Sequence, residues 1–508
     1  MKLIKNIALG LSLMGAVSLT SCSEDYLQTY SSLAISDTEA LSSVDNLYLS
    51  LIGIHKEMVS TSFSAQGYGG EPGLMIAREA LGDDHYWENL SSSWHRLDFL
   101  GWSAPTNSGA NYNAIFWKHY YQWIMNANMI LEGLETVEYN DAEEDLYNQV
   151  KGEALAIRAW AHFNLTQYYG AAYSANGGNS STLGIVYRTA ATTDDQARET
   201  TEDTYSLINA DLDAAYEALS KVDFDSLGIP AVSHYTTDVV MGLKARVALT
   251  MHNYSSAATY AAKAIEHATS DGLALMEGDE LFCGFADIST ETDEAMYAAT
   301  TADDQGVSFY SFYSYMSWNF SSTAIRGGSR CINADTYDTM SETDLRRGWW
   351  DPTGSDAHLP SSSYSATEYQ NLKYEARATG NSVGDVPFMR LAEMYLICAE
   401  AYARSGNDAS AQAIFSEFQV TRDPSYVAAG STGDELIEEI MNSRRVELWG
   451  EGFRWFDLKR LGLGCHRGRN YDTTYCTFID KDADADGWIW KIPDVEVNYN
   501  SLCEQNMY

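Results

Sequence analysis

The chain has 508 residues and is strongly acidic, with 71 Asp and Glu residues against 32 Lys and Arg residues and a formal net charge of −39. A surface of this charge repels nucleic acid and anionic lipid headgroups, which excludes nucleic acid as a partner and polyanions as ligands. Aromatic residues make up 12% of the chain and include 34 Tyr and 13 Trp. Their flat apolar faces suit a large core, and they also suit packing against sugar rings.

The N-terminus has the pattern of a secretory signal. Lys2 and Lys5 precede an apolar run over residues 7–19, which is too short to span a bilayer stably, and small residues lead to Cys22. The sequence Leu-Thr-Ser-Cys resembles a bacterial lipobox, in which the cysteine is lipidated. We expect residues 1–21 to be a lipoprotein signal peptide and residues 22–40 a lipidated tether. The alternative is a plain signal peptide followed by an accidental cysteine.

Helical periodicity dominates the rest of the chain. The segments concerned are residues 113–134, 151–169, 204–219, 239–268 and 391–418. The last two segments are each typical of two helices joined by a short turn. Ala257, Ala261 and Ala264 recur at helical spacing, and small residues in this pattern allow two helices to approach closely. We predict tetratricopeptide-like helix pairs, with generic antiparallel helices as the alternative.

Two long segments, residues 67–113 and 273–377, lack periodicity and are rich in Gly, Ser, Asn and aromatic residues. Long loops inside a compact protein are usually functional. A pyranose needs a ring face and charged hydrogen-bond partners for its hydroxyls. The candidate ligand-binding residues are Asp83, Tyr86, Trp87, Trp94, Arg96, Trp102, Tyr310, Tyr313 and Trp318, with Trp349 and Trp350 as further candidates. The alternative is that each aromatic ring packs on the helices.

Signals for other chemistry are weak. The chain contains no HExxH motif or phosphate-binding glycine loop, so we expect no catalysis. Asp482, Asp484 and Asp486 alternate before a glycine, as in the first half of a calcium-binding EF-hand loop, but the twelfth position is Pro493 instead of Glu. A solvated turn is the preferred interpretation and a structural calcium site the alternative. We expect no other cofactor.

Six cysteines follow Cys22, and fifteen pairings are possible in an exported protein. Cys465 and Cys476 flank a short loop and are the predicted disulfide pair, whereas Cys398 lies in an apolar helix and is predicted to be a buried free thiol. No CxxC spacing or Cys/His cluster indicates a zinc site.

Residues 444–461 read RRVELWGEGFRWFDLKRL and are the most distinctive segment. Trp449, Phe453 and Phe456 recur at four- and three-residue spacing, which predicts one face of a helix. Arg dominates the charged positions and favours fixed pairing with carboxylates, whereas two glycines at the centre lower the helix propensity. The residues alone indicate a well-packed internal helix with a network of salt bridges.

As a string, this segment closely resembles the signature "RR.EL..EG.RWFDLKR.G" of the SusD/RagB family, the surface glycan-binding lipoproteins of Bacteroidetes. Glu153, Arg158 and Gly170 fit the family pattern "GEA..LRA..Y..L...YG", and residues 385–393 fit "D.P..RLAE". Gln505-Asn506 fits the closing pattern, although Ser501 stands where the family usually has a proline. The resemblance extends over almost the whole mature chain.

The resemblance implies a mainly α-helical SusD-like fold, with residues 41–508 forming a single domain in which tetratricopeptide-like pairs support a loop-rich ligand face. It also implies a structural clamp at residues 444–462 and binding residues in the two aromatic segments. The implied function is non-enzymatic glycan capture and delivery to a TonB-dependent SusC-like transporter. Ser23-Glu24-Asp25 resembles the export signal of surface lipoproteins, which implies a lipid anchor in the outer membrane facing the cell exterior. The alternatives are a helical-repeat adaptor that binds a protein partner and a glycoside hydrolase.

Overall fold

The protein is mainly helical, as predicted, in a computed structural model that describes residues 41–60, 68–87, 99–302, 311–471 and 478–507. Its longer helices are α1 (Val44–Met58), α2 (Gly70–Leu81), α3 (Asn111–Thr136), α4 (Glu144–Tyr169), α5 (Thr201–Leu219), α6 (Thr237–Thr250), α7 (Tyr254–Ser270), α8 (Leu391–Arg404), α9 (Asp408–Arg422), α10 (Asp434–Glu447), α11 (Arg454–Leu461) and α12 (Asp494–Tyr499). Single helical turns lie at Ser103–Thr106, Phe224–Leu227, Ile288–Glu291, Tyr313–Met316, Thr323–Arg326 and Ala334–Tyr337. Short 3-10 helices lie at Asp141–Glu143, Asn179–Ser181, Ala231–Ser233, Gly278–Phe282 and Leu345–Trp349. The expected signal peptide, Cys22 and the tether lie outside the described residues.

Short strands form three small antiparallel sheets in the described residues. The strands are β1 (His85–Trp87), β2 (Ala295–Ala299), β3 (Arg330–Ile332), β4 (Trp350–Asp351), β5 (Gln370–Asn371), β6 (Val386–Arg390), β7 (Cys465–His466) and β8 (Asp480–Lys481). The largest sheet has the order β1-β3-β5-β4, with His85 opposite Ile332 and Trp87 opposite Arg330. The other two sheets pair β2 with β6 and β7 with β8.

The scaffold consists of helices that pack against their sequence neighbours. Helices α6 and α7 are joined by residues 251–253, and α8 and α9 by residues 405–407, so both predicted helix hairpins are present. Helix α7 also packs on α8, and α4 packs on both α3 and α5. Ala257, Ala261 and Ala264 on α7 are fully buried, as expected for small residues where helices approach closely.

One hydrophobic cluster extends from Leu47 in α1 to Cys503 near the C-terminus. Helix α2 is buried at every one of its 12 residues, although its sequence lies in a segment that we predicted to be irregular. Its charged residues are buried too, with Arg78 paired to Glu71 at 2.8 Å. Gly70, Pro72 and Gly73 in its first turn have low helix propensity, so the sequence resembles a loop. Among the described helices, none combines the length and the hydropathy that crossing a membrane requires.

The signature segment does not form the single helix that its aromatic spacing predicted. Helix α10 ends at Glu447, a turn follows, and α11 begins at Arg454. Gly450 and Gly452 have φ values of 85° and 82°, which lie in the left-handed region and cannot continue a helix. A Cβ at Gly450 would lie 2.6 Å from the Tyr374 ring, so the turn packs too closely for any side chain there.

Buried ion pairs hold this turn in place, which confirms the predicted clamp. Arg444 and Arg460 each place Nε 2.8 Å from Asp457, and Arg460 also pairs with Glu400 of α8 at 2.7 Å. Deeper in the core lies the Glu447 cluster, which we define as three guanidinium groups and three carboxylates in mutual contact. Its members are Arg346, Arg390, Arg422, Glu294, Glu447 and Glu451.

The predicted disulfide is not formed. Cys465 is a buried free cysteine whose thiol lies 3.8 Å from the Leu81 carbonyl oxygen, and Cys476 lies outside the described residues. Cys398 is a buried free thiol, as predicted, and burial raises its pKa to about 12.

Candidate functional site

Most of the predicted ligand-binding residues of the first aromatic segment belong to the core. Trp87 and Trp102 are each 1% exposed. The Trp87 ring lies 4.3 Å beneath the guanidinium of Arg330, and the Trp102 ring meets the Trp488 ring edge-to-face at 4.7 Å. Tyr86 is also buried, with its ring 5.1 Å from that of Tyr471. Since both faces of a buried ring are covered by protein, these three residues are structural.

Asp83 also has a structural role instead of a binding role. Its carboxylate is 2% exposed and lies 2.6 Å from Nε of Arg454 in the clamp. Burial alone would raise the pKa of Asp83, but the charge of Arg454 holds it below the ordinary value. The carboxylate is therefore already occupied as the partner of a fixed guanidinium, and it has no free oxygen lone pair facing solvent for a sugar hydroxyl.

In the second aromatic segment, Trp318 is the candidate that the structure leaves accessible, because it is only half-buried. Tyr313 is fully buried and donates its hydroxyl to the Asp385 carbonyl at 2.7 Å. The further candidates Trp349 and Trp350 are 1% and 2% exposed and belong to the core. Trp94, Arg96 and Tyr310 lie outside the described residues, so their assignment stays a prediction.

A surface group that we call the tyrosine–arginine cluster has the composition expected of a sugar subsite. Its members are Asp335, Tyr337, Asp338, Tyr369 and Arg469. The guanidinium of Arg469 pairs with both carboxylates, at 2.6 Å for Asp338, and donates to the Tyr369 hydroxyl at 3.2 Å. Hydrogen bonding to Asp338 and Tyr369 raises the pKa of Arg469 above its ordinary value, so its positive charge is fixed.

The cluster is assembled at one end of β3 and β5, the two central strands of the largest sheet. Tyr369 directly precedes β5, and its carbonyl accepts a hydrogen bond from the backbone of Ile332 in β3 at 3.2 Å. Asp335 and Asp338 follow β3, and Asn470 anchors the Arg469 loop by donating to the Ile332 carbonyl at 3.1 Å. Sheet pairing thus brings three segments that are distant in sequence to one place.

The backbone of Tyr369 is strained. Its φ of 62° lies in the left-handed region, which bulky residues rarely adopt and which costs about 1–3 kcal/mol. Tyr369 is half-buried, and its ring meets the Tyr337 ring edge-to-face at 5.4 Å. The guanidinium of Arg347 lies 4.5 Å from the centre of the Tyr337 ring. Trp102 and Phe285 share this backbone conformation but lie in the core, whereas Tyr369 is partly exposed beside Arg469, which makes it a candidate that the sequence analysis missed.

Trp318 and its neighbour Asn319 are hydrogen-bonded to residues 364–375, the segment that contains Tyr369. Its backbone N–H donates to the Tyr374 carbonyl at 3.0 Å, and the Tyr364 hydroxyl donates to the Asn319 carbonyl at 2.9 Å. Glu375 is exposed beside them and accepts a hydrogen bond from the Asn319 amide at 3.4 Å. Residues 364–375 therefore connect the Trp318 region with the tyrosine–arginine cluster, and together they offer ring faces alongside charged hydrogen-bond partners.

Arg330 is 2% exposed and packs on Trp87, so its guanidinium group is not available to a ligand at the surface. Asp482, Asp484 and Asp486 are exposed, and among the described residues they do not form a group with ligand atoms within 4.8 Å of one another. Their exposure agrees with the preferred interpretation as a solvated turn, and the calcium alternative stays a prediction.

Comparison with known proteins decides the family. A sequence model described as "Starch-binding associating with outer membrane" matches residues 71–249, and the model of the SusD family matches residues 250–508. The chain belongs to the SusD family. It is 22% identical over 498 residues to SusD-like protein P38 of Formosa agariphila, covering 91% of this chain and 92% of that protein.

Solved structures share the fold of this SusD family member. A SusD-like carbohydrate-binding protein of Bacteroides vulgatus is 20% identical, with a TM-score of 0.76 over 91% of this chain and 97% of the other. A laminarin-binding SusD-like protein is 19% identical, with a TM-score of 0.67 over 92% of this chain and 99% of the other. The mainly α-helical SusD fold implied by the sequence is therefore confirmed.

Proposed function

We propose that this protein is a surface lipoprotein that captures a glycan and delivers it to a partner TonB-dependent transporter of the SusC type. The observation that carries the proposal is membership of the SusD family over residues 71–508. Two structural relatives are named for carbohydrate binding and laminarin binding, and one of the two family models is described by association with the outer membrane. The lipobox at Cys22 supplies the anchor.

The glycan site we propose extends from Trp318 to the tyrosine–arginine cluster. Tyr369 and Trp318 offer partly exposed rings for the C–H faces of a sugar, and Arg469 with its two carboxylates offers charged hydrogen-bond partners. Trp94, Arg96 and Tyr310 remain predicted contributors to the same face. A neutral sugar gains little from long-range charge, so its affinity should depend only weakly on salt.

Binding to a panel of purified polysaccharides tests the site. Trp318→Ala and Tyr369→Ala should each weaken binding of the recognised glycan, by about 1–3 kcal/mol if stacking on sugars resembles base stacking. Tyr369→Phe keeps the ring and should retain most of the affinity. Tyr139→Ala is the matched control, because Tyr139 is 45% exposed and its ring stacks on Tyr147 at the far end of α3. Full affinity in both alanine variants would contradict the assignment of the site.

The same panel separates the alternative functions. A helical-repeat adaptor should bind none of the polysaccharides, and a glycoside hydrolase should release reducing sugar from at least one of them. Delivery to a transporter predicts that the protein, purified from native outer membranes in mild detergent, brings a TonB-dependent transporter with it in near-equal amount. Purification of the lipoprotein alone, with glycan binding intact, would leave capture standing and refute delivery.

A further inference from the structure

Three side chains from distant parts of the sequence converge beside α1. His55 lies on α1, Glu153 lies in the middle of α4, and His234 follows the 3-10 helix Ala231–Ser233. Nε2 of His55 is 2.9 Å from Oε2 of Glu153, and Nδ1 of His234 is 2.8 Å from Oε1 of the same carboxylate. The potential ligand atoms of the three side chains all lie within 4.8 Å of one another.

The group is shielded but has an entrance. The side chains of Glu153 and His234 are 0% and 5% exposed, whereas that of His55 is 14% exposed. Imidazole nitrogen and carboxylate oxygen are ligands that zinc and similar divalent ions take, and three protein ligands with one position left for water form a common coordination set. A partly exposed His55 provides the side from which an ion and its water ligand can enter.

Surrounding groups hold the His55 ring and the Glu153 carboxylate in place. The Tyr297 hydroxyl is 3.1 Å from Nδ1 of His55 and thereby fixes the ring so that Nε2 faces Glu153. The backbone N–H of Tyr235 donates to Oε2 of Glu153 at 3.2 Å, and the amide of Gln149 donates to Oε1. Metal-binding histidines and carboxylates are normally oriented by an outer shell of this kind.

We propose that His55, Glu153 and His234 bind one divalent transition-metal ion of the zinc class. On binding, the ion takes the position of the hydrogen that joins each imidazole nitrogen to the carboxylate. A neutral imidazole keeps its proton on the ring nitrogen that faces away from the ion, and a protonated imidazole releases one proton to solvent. Because the ligands come from α1, α4 and the segment that precedes α6, the ion ties the first described helix to the scaffold. This proposal is independent of the glycan-binding function.

Metal titration of the full mature chain, stripped with a chelator and dialysed, tests the proposal. Titration with Zn²⁺ by calorimetry should show one site per chain, and Co²⁺ should give the intense visible absorption of a tetrahedral ion. His55→Gln and His234→Gln should each weaken Zn²⁺ binding by at least about 100-fold, and Tyr297→Phe by about 10–100-fold. Zn²⁺ should raise the melting temperature of the wild type but of neither histidine variant.

His466→Gln is the matched control, because His466 is 66% exposed and pairs only with Asp480 among the described acidic side chains. It should bind Zn²⁺ like the wild type. If His234→Gln does not fold, His55→Gln and Tyr297→Phe still decide the matter, because they alter the partly exposed ligand and the outer shell. Absence of one-to-one Zn²⁺ binding by the folded wild type would overturn the proposal. Unchanged affinity in His55→Gln, or loss of the site in His466→Gln, would overturn it equally.

Discussion

Removal of one charge from the Glu447 cluster should strongly destabilise the protein. Glu447 is fully buried, and its carboxylate accepts from Arg390 and Arg422 at 2.9 Å on one oxygen and from Arg422 and Arg346 at 3.1 and 3.2 Å on the other. Burial alone would raise its pKa, but the charges of Arg422 and Arg390 hold the pKa well below the ordinary value. Glu447→Gln is the perturbation of choice because it changes charge without changing shape.

The magnitude follows from the hydrogen bonds that are lost. A Gln side chain keeps one oxygen and places an amide NH₂ group where the other stood, so at least two guanidinium N–H groups lose their acceptor. Each buried donor left without a partner costs about 1–3 kcal/mol, which gives about 2–6 kcal/mol for two. Breaking a buried ion pair costs about 3–5 kcal/mol, and we expect a loss in this range.

Urea unfolding followed by tryptophan fluorescence at pH 7 measures this loss. Glu217→Gln is the control, because Glu217 pairs with Lys221 at 3.3 Å on the surface, where the side chains are 77% and 53% exposed. Its free energy of unfolding should stay within about 0.5 kcal/mol of the wild type. A loss below about 1 kcal/mol in Glu447→Gln would refute the argument, because it would mean that the charges compensate one another without Glu447.

Burial raises the pKa of Glu79 to about 8, so from pH 4.5 to 8 this residue holds a proton in the folded state that it releases in the unfolded state, and its contribution to stability should fall by about 1.4 kcal/mol per pH unit. Glu79→Gln, which carries no titrating group, should remove this contribution, so the pH dependence of stability should differ between the two proteins. An identical pH dependence in urea unfolding at pH 5 and 8 would contradict it. Trp455→Ala, which deletes a fully buried ring, should cost about 3–5 kcal/mol in the same assay and leave the glycan preference of the folded fraction unchanged. Cys22→Ala should release the folded protein from the outer membrane, and sedimentation with membranes after a salt wash would count against lipidation.

The main helices were predictable because their signal is local. Periodicity predicted helices at residues 113–134, 151–169 and 204–219. Each range lies within one observed helix, in α3, α4 and α5 respectively. An amphipathic stripe is formed by residues close together in the sequence, so it can be recognised without knowing which surface the helix packs against. The signature string identified the family because it is also local: its glycines form one turn, and its arginines make the ion pairs that hold that turn in place.

The binding face was less predictable because burial is not a local property. Trp87, Trp102 and Tyr313 stand in aperiodic, polar stretches that resemble exposed loops, yet long-range packing covers their rings. The candidates that replace them, Tyr369 and Arg469, lie 100 residues apart and share no local motif. The sole early indication of Tyr369 was an aromatic residue in a Ser-rich segment, which is too common a pattern to single it out.

Sequence alone determined the family, the helical scaffold and the positions of the two aromatic segments, because each depends on residues close together in the chain. The tertiary structure decided which aromatic rings face solvent, how the clamp turns at Gly450 and Gly452, and that His55, Glu153 and His234 meet. Those features depend on contacts between segments separated by up to hundreds of residues. Their geometry is fixed by the ion pairs and ring contacts of the core, which form only in the folded chain.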